Sequence, residues 1–112
     1  MKNKTLRDFT KEVVATFKNY QKIGTPPWDH MIAARDLPYQ VGSLTKLLLQ
    51  LEGIRHREGK TEKEIKTKIA DELADIFAEV LFIAHGLDIS IEEAWEAMLH
   101  SDQKKISERK LK

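Results

Sequence analysis

The chain has 112 residues, of which 41% are hydrophobic and 33% charged, with a formal net charge of +1 and no cysteine. This length and composition predict one globular domain, and the absence of cysteine excludes disulfides and thiolate zinc sites. The near-zero charge argues against nucleic acid as a partner, and the apolar runs are too short to span a membrane. Because the N-terminal segment lacks a signal-peptide core, we expect a cytoplasmic protein.

Four helices and no strand are predicted, so the expected fold class is all-α. The first helix is expected over residues 5–20, where Thr5 and Asp8 form a capping pair and apolar residues recur at helical spacing. The Gly-Thr-Pro-Pro segment at 24–27 stops this helix. Trp28 is expected to anchor the loop or short turn that follows.

The second helix is predicted to begin near Asp36, which would act as its N-cap, with Pro38 in the first turn. Gly53 is its expected C-terminal cap. The predicted buried stripe of this helix comprises Leu37, Val41, Leu44, Leu48 and Leu51.

The third helix carries the most informative pattern in the sequence. Thr61 and Glu64 form a second capping box, and the helix is predicted to run to about His85, with a Schellman-type ending at Gly86. Its stretch 69–84, IADELADIFAEVLFIA, is apolar nearly all round, which is typical of a buried helix. One short chain can hardly cover so much apolar surface, and we therefore expect a homodimer or homotetramer.

Three carboxylates interrupt this apolar stretch. At roughly 100° per residue, Glu72, Asp75 and Glu79 fall within about 60° of one another on the helix. Acids on a buried helix need a cation, a basic partner or water, and a divalent metal that coordinates phosphate would supply the cation. The alternative is a solvated stripe of surface acids, which the residues alone favour.

The fourth helix is predicted to open with a capping box of Ser90 and Glu93 and to become strongly polar beyond Asp102. Lys105 and Arg109 are four residues apart and share one face. An exposed basic tail, favoured by the dipole at the helix C-terminus, is the simplest interpretation of that face.

The segment DELADIFAEVLFIAHGLDISIEEAW resembles the second half of the MazG-like, all-α nucleoside triphosphate pyrophosphohydrolases, and the resemblance covers roughly residues 28–109. In that family, an E-x-x-D on one helix and an E-x-x-E on the preceding helix hold Mg²⁺ for hydrolysis between the α- and β-phosphates. Glu72 and Asp75 match the E-x-x-D, which implies that both are catalytic and bind the metal, with Glu79 in support. The resemblance also implies an oligomeric four-helix MazG-like bundle.

The first acidic motif of the family is degenerate in this chain. The segment 39–46, YQVGSLTK, resembles the family's E-E-V-G-E-L-x-E, but Gln40, Ser43 and Lys46 stand where glutamates are expected. Two interpretations follow. Lys46 replaces the metal by neutralising the acids of the third helix, or those acids still bind one Mg²⁺–nucleotide complex.

The resemblance also implies ligands for the rest of a nucleotide. It places basic residues of the fourth helix, Lys104, Lys105 and Arg109, at the phosphates. Trp28 and Tyr39 could stack on a nucleobase, although core packing is the commoner role of such residues. Three functions compete: a Mg²⁺-dependent pyrophosphohydrolase, a catalytically degenerate nucleotide-binding or regulatory protein, and a plain helical oligomerisation module.

Overall fold

The computed structural model describes residues 3–110, and these form four α-helices and no strand. The helices are α1 (Leu6–Lys22), α2 (His30–Leu51), α3 (Glu62–Gly86) and α4 (Ile91–Lys110). The predicted all-α fold with four helices is confirmed. No helix in this part of the chain combines the length and the apolar character needed to cross a membrane.

Side-chain caps fix the starts of α1 and α3. Thr5 Oγ1 accepts a hydrogen bond from Asp8 N, and Asp8 Oδ2 accepts one from Thr5 N. Thr61 and Glu64 make the same reciprocal pair. Both predicted capping boxes are confirmed, since each satisfies backbone N–H groups that have no partner inside the helix.

The start of α2 differs from the prediction. The helix begins at His30, and its N-cap is Asp29, whose Oδ1 accepts a hydrogen bond from a backbone N–H of the first turn at 2.9 Å. Asp36 is therefore not the cap, and Pro38 lies inside the helix rather than in its first turn. The proline removes one backbone hydrogen bond. The added turns compensate by placing Ala33, which is fully buried, in the core.

The core lies along α3, which packs most extensively against α2 and also against α1. Its fully or almost fully buried apolar residues are Ala33, Leu47, Ile65, Leu81 and Ala84. Phe17 of α1 meets Phe82 of α3 edge-to-face, with 4.4 Å between ring centroids. No residue of α1 is itself fully buried, so this helix is held by half-buried contacts.

The loop between α2 and α3 is fastened to the end of α2. The side chain of Gln50 is fully buried, donates to His56 O at 3.1 Å and accepts from Lys60 Nζ at 3.2 Å. Arg57 donates to the carbonyls of Gln50 and Leu51. These bonds satisfy carbonyls that the end of a helix leaves free, and they fix how α2 turns back into α3.

The last helix, α4, is the least covered part of the protomer. At its start, Ser90 Oγ accepts a hydrogen bond from Glu93 N, which is one of the two bonds of the predicted capping box. Its contact with α1 includes a bond from Arg7 N to Glu92 Oε1 at 3.1 Å. The radius of gyration is 17.9 Å, whereas a compact domain of this length has about 13 Å. A single protomer is therefore elongated and leaves much of α4 open.

Candidate functional site

The three predicted carboxylates of α3 lie in different environments. Glu79 is only 4% exposed, and neither of its carboxylate oxygens has a hydrogen-bond partner among residues 3–110. Glu72 is half-buried, and its Oε2 is also buried without a partner in this part of the chain. Asp75 is exposed. The alternative of a solvated acidic stripe is therefore wrong for Glu79.

Burial and mutual repulsion favour the protonated forms of these acids. Loss of solvation is the largest cause, and it raises the pKa of Glu79 to about 7, with Asp36 as the next contributor. Burial also raises the pKa of Glu72 and of Asp75, and neighbouring acids add to both shifts. A buried carboxylate without a donor or cation is costly, so this group of acids is electrostatically uncompensated.

Asp36 is the residue that the sequence analysis missed. On α2 its carboxylate faces Glu79, and its Oδ2 accepts a hydrogen bond from Gln40 Nε2 at 3.1 Å. Two ionised carboxylates have no proton to share, so the hydrogen bond between Asp36 and Glu79 forms when Glu79 is protonated. The sequence does place Asp36 and Gln40 four residues apart on one helix face, which indicates that they could interact. The prediction of Asp36 as an N-cap placed it outside the helix, so this pairing was not recognised.

A cleft of about 550 Å³ between α1, α2 and α3 is lined by Asp36, Asp75 and Glu79, whereas Glu72 is not among its lining residues. Phe17 and Trp28 stack on one side of it, with 5.9 Å between ring centroids. The polar residues of the cleft include Asp36, Gln40, Asp75 and Glu79, and its aromatic residues are Phe9, Phe17, Tyr20, Trp28 and Phe77. Tyr39, the second predicted stacking residue, is 70% exposed and lies outside the cleft.

The positions of the degenerate motif do not converge on the α3 acids as a set. Gln40 lines the cleft, whereas Ser43 is half-buried outside the cleft lining. Lys46 is exposed, and its Nζ lies 3.1 Å from Glu58 Oε1 in the α2–α3 loop. This ion pair lowers the pKa of Glu58. The interpretation that Lys46 replaces the metal beside Glu72 is therefore wrong. Lys46 pairs instead with Glu58, which the α2–α3 loop brings close to it.

Lys46→Met is accordingly expected to leave the urea midpoint of unfolding within error of the wild type, because the pair that it removes is exposed to solvent. The effects of Lys46→Met and Glu72→Gln should add in a double-mutant cycle, since Lys46 reaches Glu58 instead. Glu58→Gln is the matched control for the loss of the observed pair. A clear coupling between Lys46 and Glu72 would contradict this geometry.

The basic residues predicted to contact phosphates are not brought to the acids within one protomer. Lys104, Lys105 and Arg109 are exposed on α4. The cleft is lined from α1 to α3 and by Trp28, and α4 contributes no residue to it. These three residues are therefore placed apart from any phosphate that the acids of the same protomer would hold.

The acids of α3 are better suited to a metal ion that is already bound to a triphosphate than to an ion held by protein side chains alone. No three His, Asp or Glu side chains within residues 3–110 converge closely enough to hold an ion. Mg²⁺ prefers about six oxygen ligands, and Glu72 and Asp75 supply carboxylates to which a triphosphate can add oxygens. The uncompensated oxygens of Glu72 and Glu79 favour the approach of such a cation.

Comparison with protein-family models, with curated proteins and with solved structures finds no match to this chain. The MazG-like resemblance therefore rests on the residues of the two motif segments, and membership of that family stays a prediction.

Proposed function

We propose that this protein is a MazG-like nucleotide pyrophosphohydrolase-family protein that binds a nucleoside triphosphate with Mg²⁺ between α1, α2 and α3. The observation that carries the proposal is the buried, unpartnered pair of oxygens of Glu79 at the edge of the 550 Å³ cleft. A metal–nucleotide complex would compensate this charge, and the aromatic residues of the cleft offer flat apolar surface to a base.

Each residue of the proposed site has its own role. Glu72 and Asp75 hold the metal, with Glu79 in support. When bound, the metal would polarise the phosphates and orient water for attack between the α- and β-phosphates, which yields a monophosphate and pyrophosphate. Gln40 donates a hydrogen bond to Asp36 through its amide, and the stacked Trp28 and Phe17 also line the cleft.

A catalytically degenerate nucleotide-binding or regulatory protein is the second candidate. It is favoured by the replacement of the first acidic motif by Gln40, Ser43 and Lys46, and by the pairing of Lys46 with the loop. Loss of half of a metal site normally weakens metal affinity strongly. This candidate keeps the nucleotide as ligand and removes the hydrolysis.

A homodimer or homotetramer completes the proposal. On α3, Leu73 and Phe77 are 52% and 40% exposed, and further large apolar residues are open on α2 and α4. Soluble monomers rarely expose contiguous apolar surface of this kind. A cytoplasmic location remains an expectation from the sequence.

Thermal unfolding with and without ligand tests the proposed binding. We expect Mg²⁺ alone to leave the melting temperature unchanged, and Mg²⁺ with a nucleoside triphosphate at saturating concentration to raise it by about 4 °C or more. Glu72→Gln and Asp75→Asn should abolish the shift, whereas the exposed Glu62→Gln should retain it. If none of the common ribo- or deoxyribonucleoside triphosphates shifts the melting temperature, nucleotide binding is contradicted, and the plain helical oligomerisation module is the remaining function.

Release of pyrophosphate separates the two candidate functions. A wild type that binds the nucleotide without releasing pyrophosphate is the degenerate protein. A gain-of-function variant then tests whether the missing glutamates are the cause. Gln40→Glu, Ser43→Glu and Lys46→Glu together should create stabilisation by Mg²⁺ alone. If this variant does not respond to Mg²⁺, the missing acids are not what limits the metal site.

A further inference from the structure

A second groove, of about 560 Å³, lies between α1, the end of α3 and the start of α4. Its apolar lining includes Val14, Leu81 and Ile89, and its α1 side carries the cations Arg7, Lys11 and Lys18. These three cations fall within about 40° of one another on α1. None of them forms an ion pair within residues 3–110. Two acids, Asp88 and Glu92, line the groove where α4 begins, so the groove is an apolar channel whose positive edge is its α1 side.

The first half of α4 has the complementary surface. Trp95, Met98 and Leu99 form an apolar stripe, and Trp95 is 53% exposed. At about 100° per residue, Asp102 falls within this stripe and Glu96 borders it. Neither acid has an ion-pair partner in the described part of the chain. Over residues 91–102 this face of α4 is therefore apolar with a negative edge, and it becomes basic from Lys105 onward.

The helix cannot fill the groove of its own protomer. Backbone bonds from Leu87 N to Ile83 O and from Ile89 N to Ala84 O, the latter at 2.8 Å, fix the turn that leads into α4. The helix starts at the end of the groove, where Ile91 and Glu92 line it, and its later turns lie away from it. The groove and the stripe of one chain are thus both left without a partner.

We propose that residues 91–102 of α4 of a second copy fill this groove, and that α4 of the first copy fills the groove of the second. The exchange pairs an apolar stripe with an apolar channel and acids with cations, and a two-fold axis repeats each contact. Within one chain, Glu92 of α4 already accepts a hydrogen bond from the backbone N–H of Arg7 at the start of α1. This inference rests on the proposed oligomer and is independent of nucleotide binding.

Charge reversal tests the pairing. Sedimentation equilibrium should show that Lys11→Glu with Lys18→Glu weakens self-association at least about tenfold, because like charges would then meet in the groove. Adding Glu96→Lys and Asp102→Lys to the same chain should restore association. Lys63→Glu with Lys68→Glu is the matched control, since it makes the same change in net charge on exposed positions of α3 outside the groove.

The fluorescence of Trp95 reports where association occurs. In Trp28→Phe, Trp95 is the single tryptophan, and its emission should shift to shorter wavelength over the concentration range in which the dimer forms, because the side chain becomes buried. Trp95→Phe, which retains Trp28, should show no such shift. A dimer that forms without a change in Trp95 emission, or that is as sensitive to the control reversal as to the groove reversal, would place the interface elsewhere. A protein that is still monomeric at about 100 µM would overturn both the proposed interface and the proposed oligomer.

Discussion

Replacing Glu79 with glutamine is expected to stabilise the ligand-free protein at pH 8 by up to about 3 kcal/mol. In the folded protein the pKa of Glu79 is raised from 4.5 to about 7. An acid with a raised pKa contributes most to stability when it is protonated in both states. Its contribution is full below about pH 4.5 and is lost as the pH rises to and beyond 7. Glutamine cannot ionise, and its amide can donate to Asp36, so the variant escapes this loss.

The measurement is the free energy of urea unfolding of wild type and Glu79→Gln at intervals from pH 4.5 to 8. The difference between the two proteins should grow with pH, because only the wild type titrates at this position. Glu108→Gln, an exposed acid on α4, is the control and should show a difference that does not depend on pH. A constant difference for Glu79→Gln as well would mean that its carboxyl is solvated.

Asp36→Asn should reduce this pH dependence without removing it. Asp36 raises the pKa of Glu79 both as a hydrogen-bond acceptor and as a like charge, but burial is the larger cause. The neutral amide removes the charge and leaves Glu79 buried. If the pH dependence is unchanged in Asp36→Asn, the two carboxyl groups do not face each other.

Two glycine substitutions are expected to act in opposite directions. A Cβ at Gly86, the last residue of α3, would overlap the side chain of His30 at the start of α2. Because that contact involves the Cβ of His30, a rotamer change cannot relieve it, and Gly86→Ala should destabilise by about 2 kcal/mol or more. A Cβ at Gly42 would meet no atom within 4 Å. Gly42→Ala should therefore stabilise by about 0.5–1 kcal/mol, as alanine does inside helices.

Urea unfolding of both variants at one protein concentration decides this comparison. Each variant adds a single methyl group to a helical glycine, so each is the control for the other. Equal effects of the same sign would show that the end of α3 does not approach the start of α2 as closely as the structure places it.

The helices were largely predictable because their signals are local. Thr5 and Thr61 each precede an acid by three residues, and the apolar spacing between caps follows the helical period. The start of α2 could not be predicted in this way. The burial of Ala33 against the rest of the fold outweighs the preference of Pro38 for the first turn of a helix. Gly86 ends α3 as predicted but not with a left-handed backbone. At this helix end the residue with positive φ is Asp88, two positions after Gly86, with φ of 56°.

The candidate site was predictable in part for the same reason. The apolar character of α3 indicates that acids on it can be buried, but the residues alone favoured a solvated stripe and did not separate the buried Glu79 from the exposed Asp75. Its neighbour Asp36 lies on another helix, and the pairing depends on how α2 packs against α3. Lys46 is a residue of the same helix, but the loop that follows α2 brings Glu58 to it. Contacts between segments are set by tertiary packing, which local patterns do not encode.

The helices differ in how firmly each is held, and this has a consequence for access to the cleft. The α2–α3 hairpin contains every fully buried residue of the first three helices and a loop fastened by Gln50, whereas α1 has no fully buried residue. Cooperative units with few buried contacts open first in native-state hydrogen exchange. The amides of α1 should thus exchange before those of α2 and α3. Because α1 forms one wall of the cleft, its local opening would widen access for the proposed nucleotide while the acids on the hairpin keep their positions.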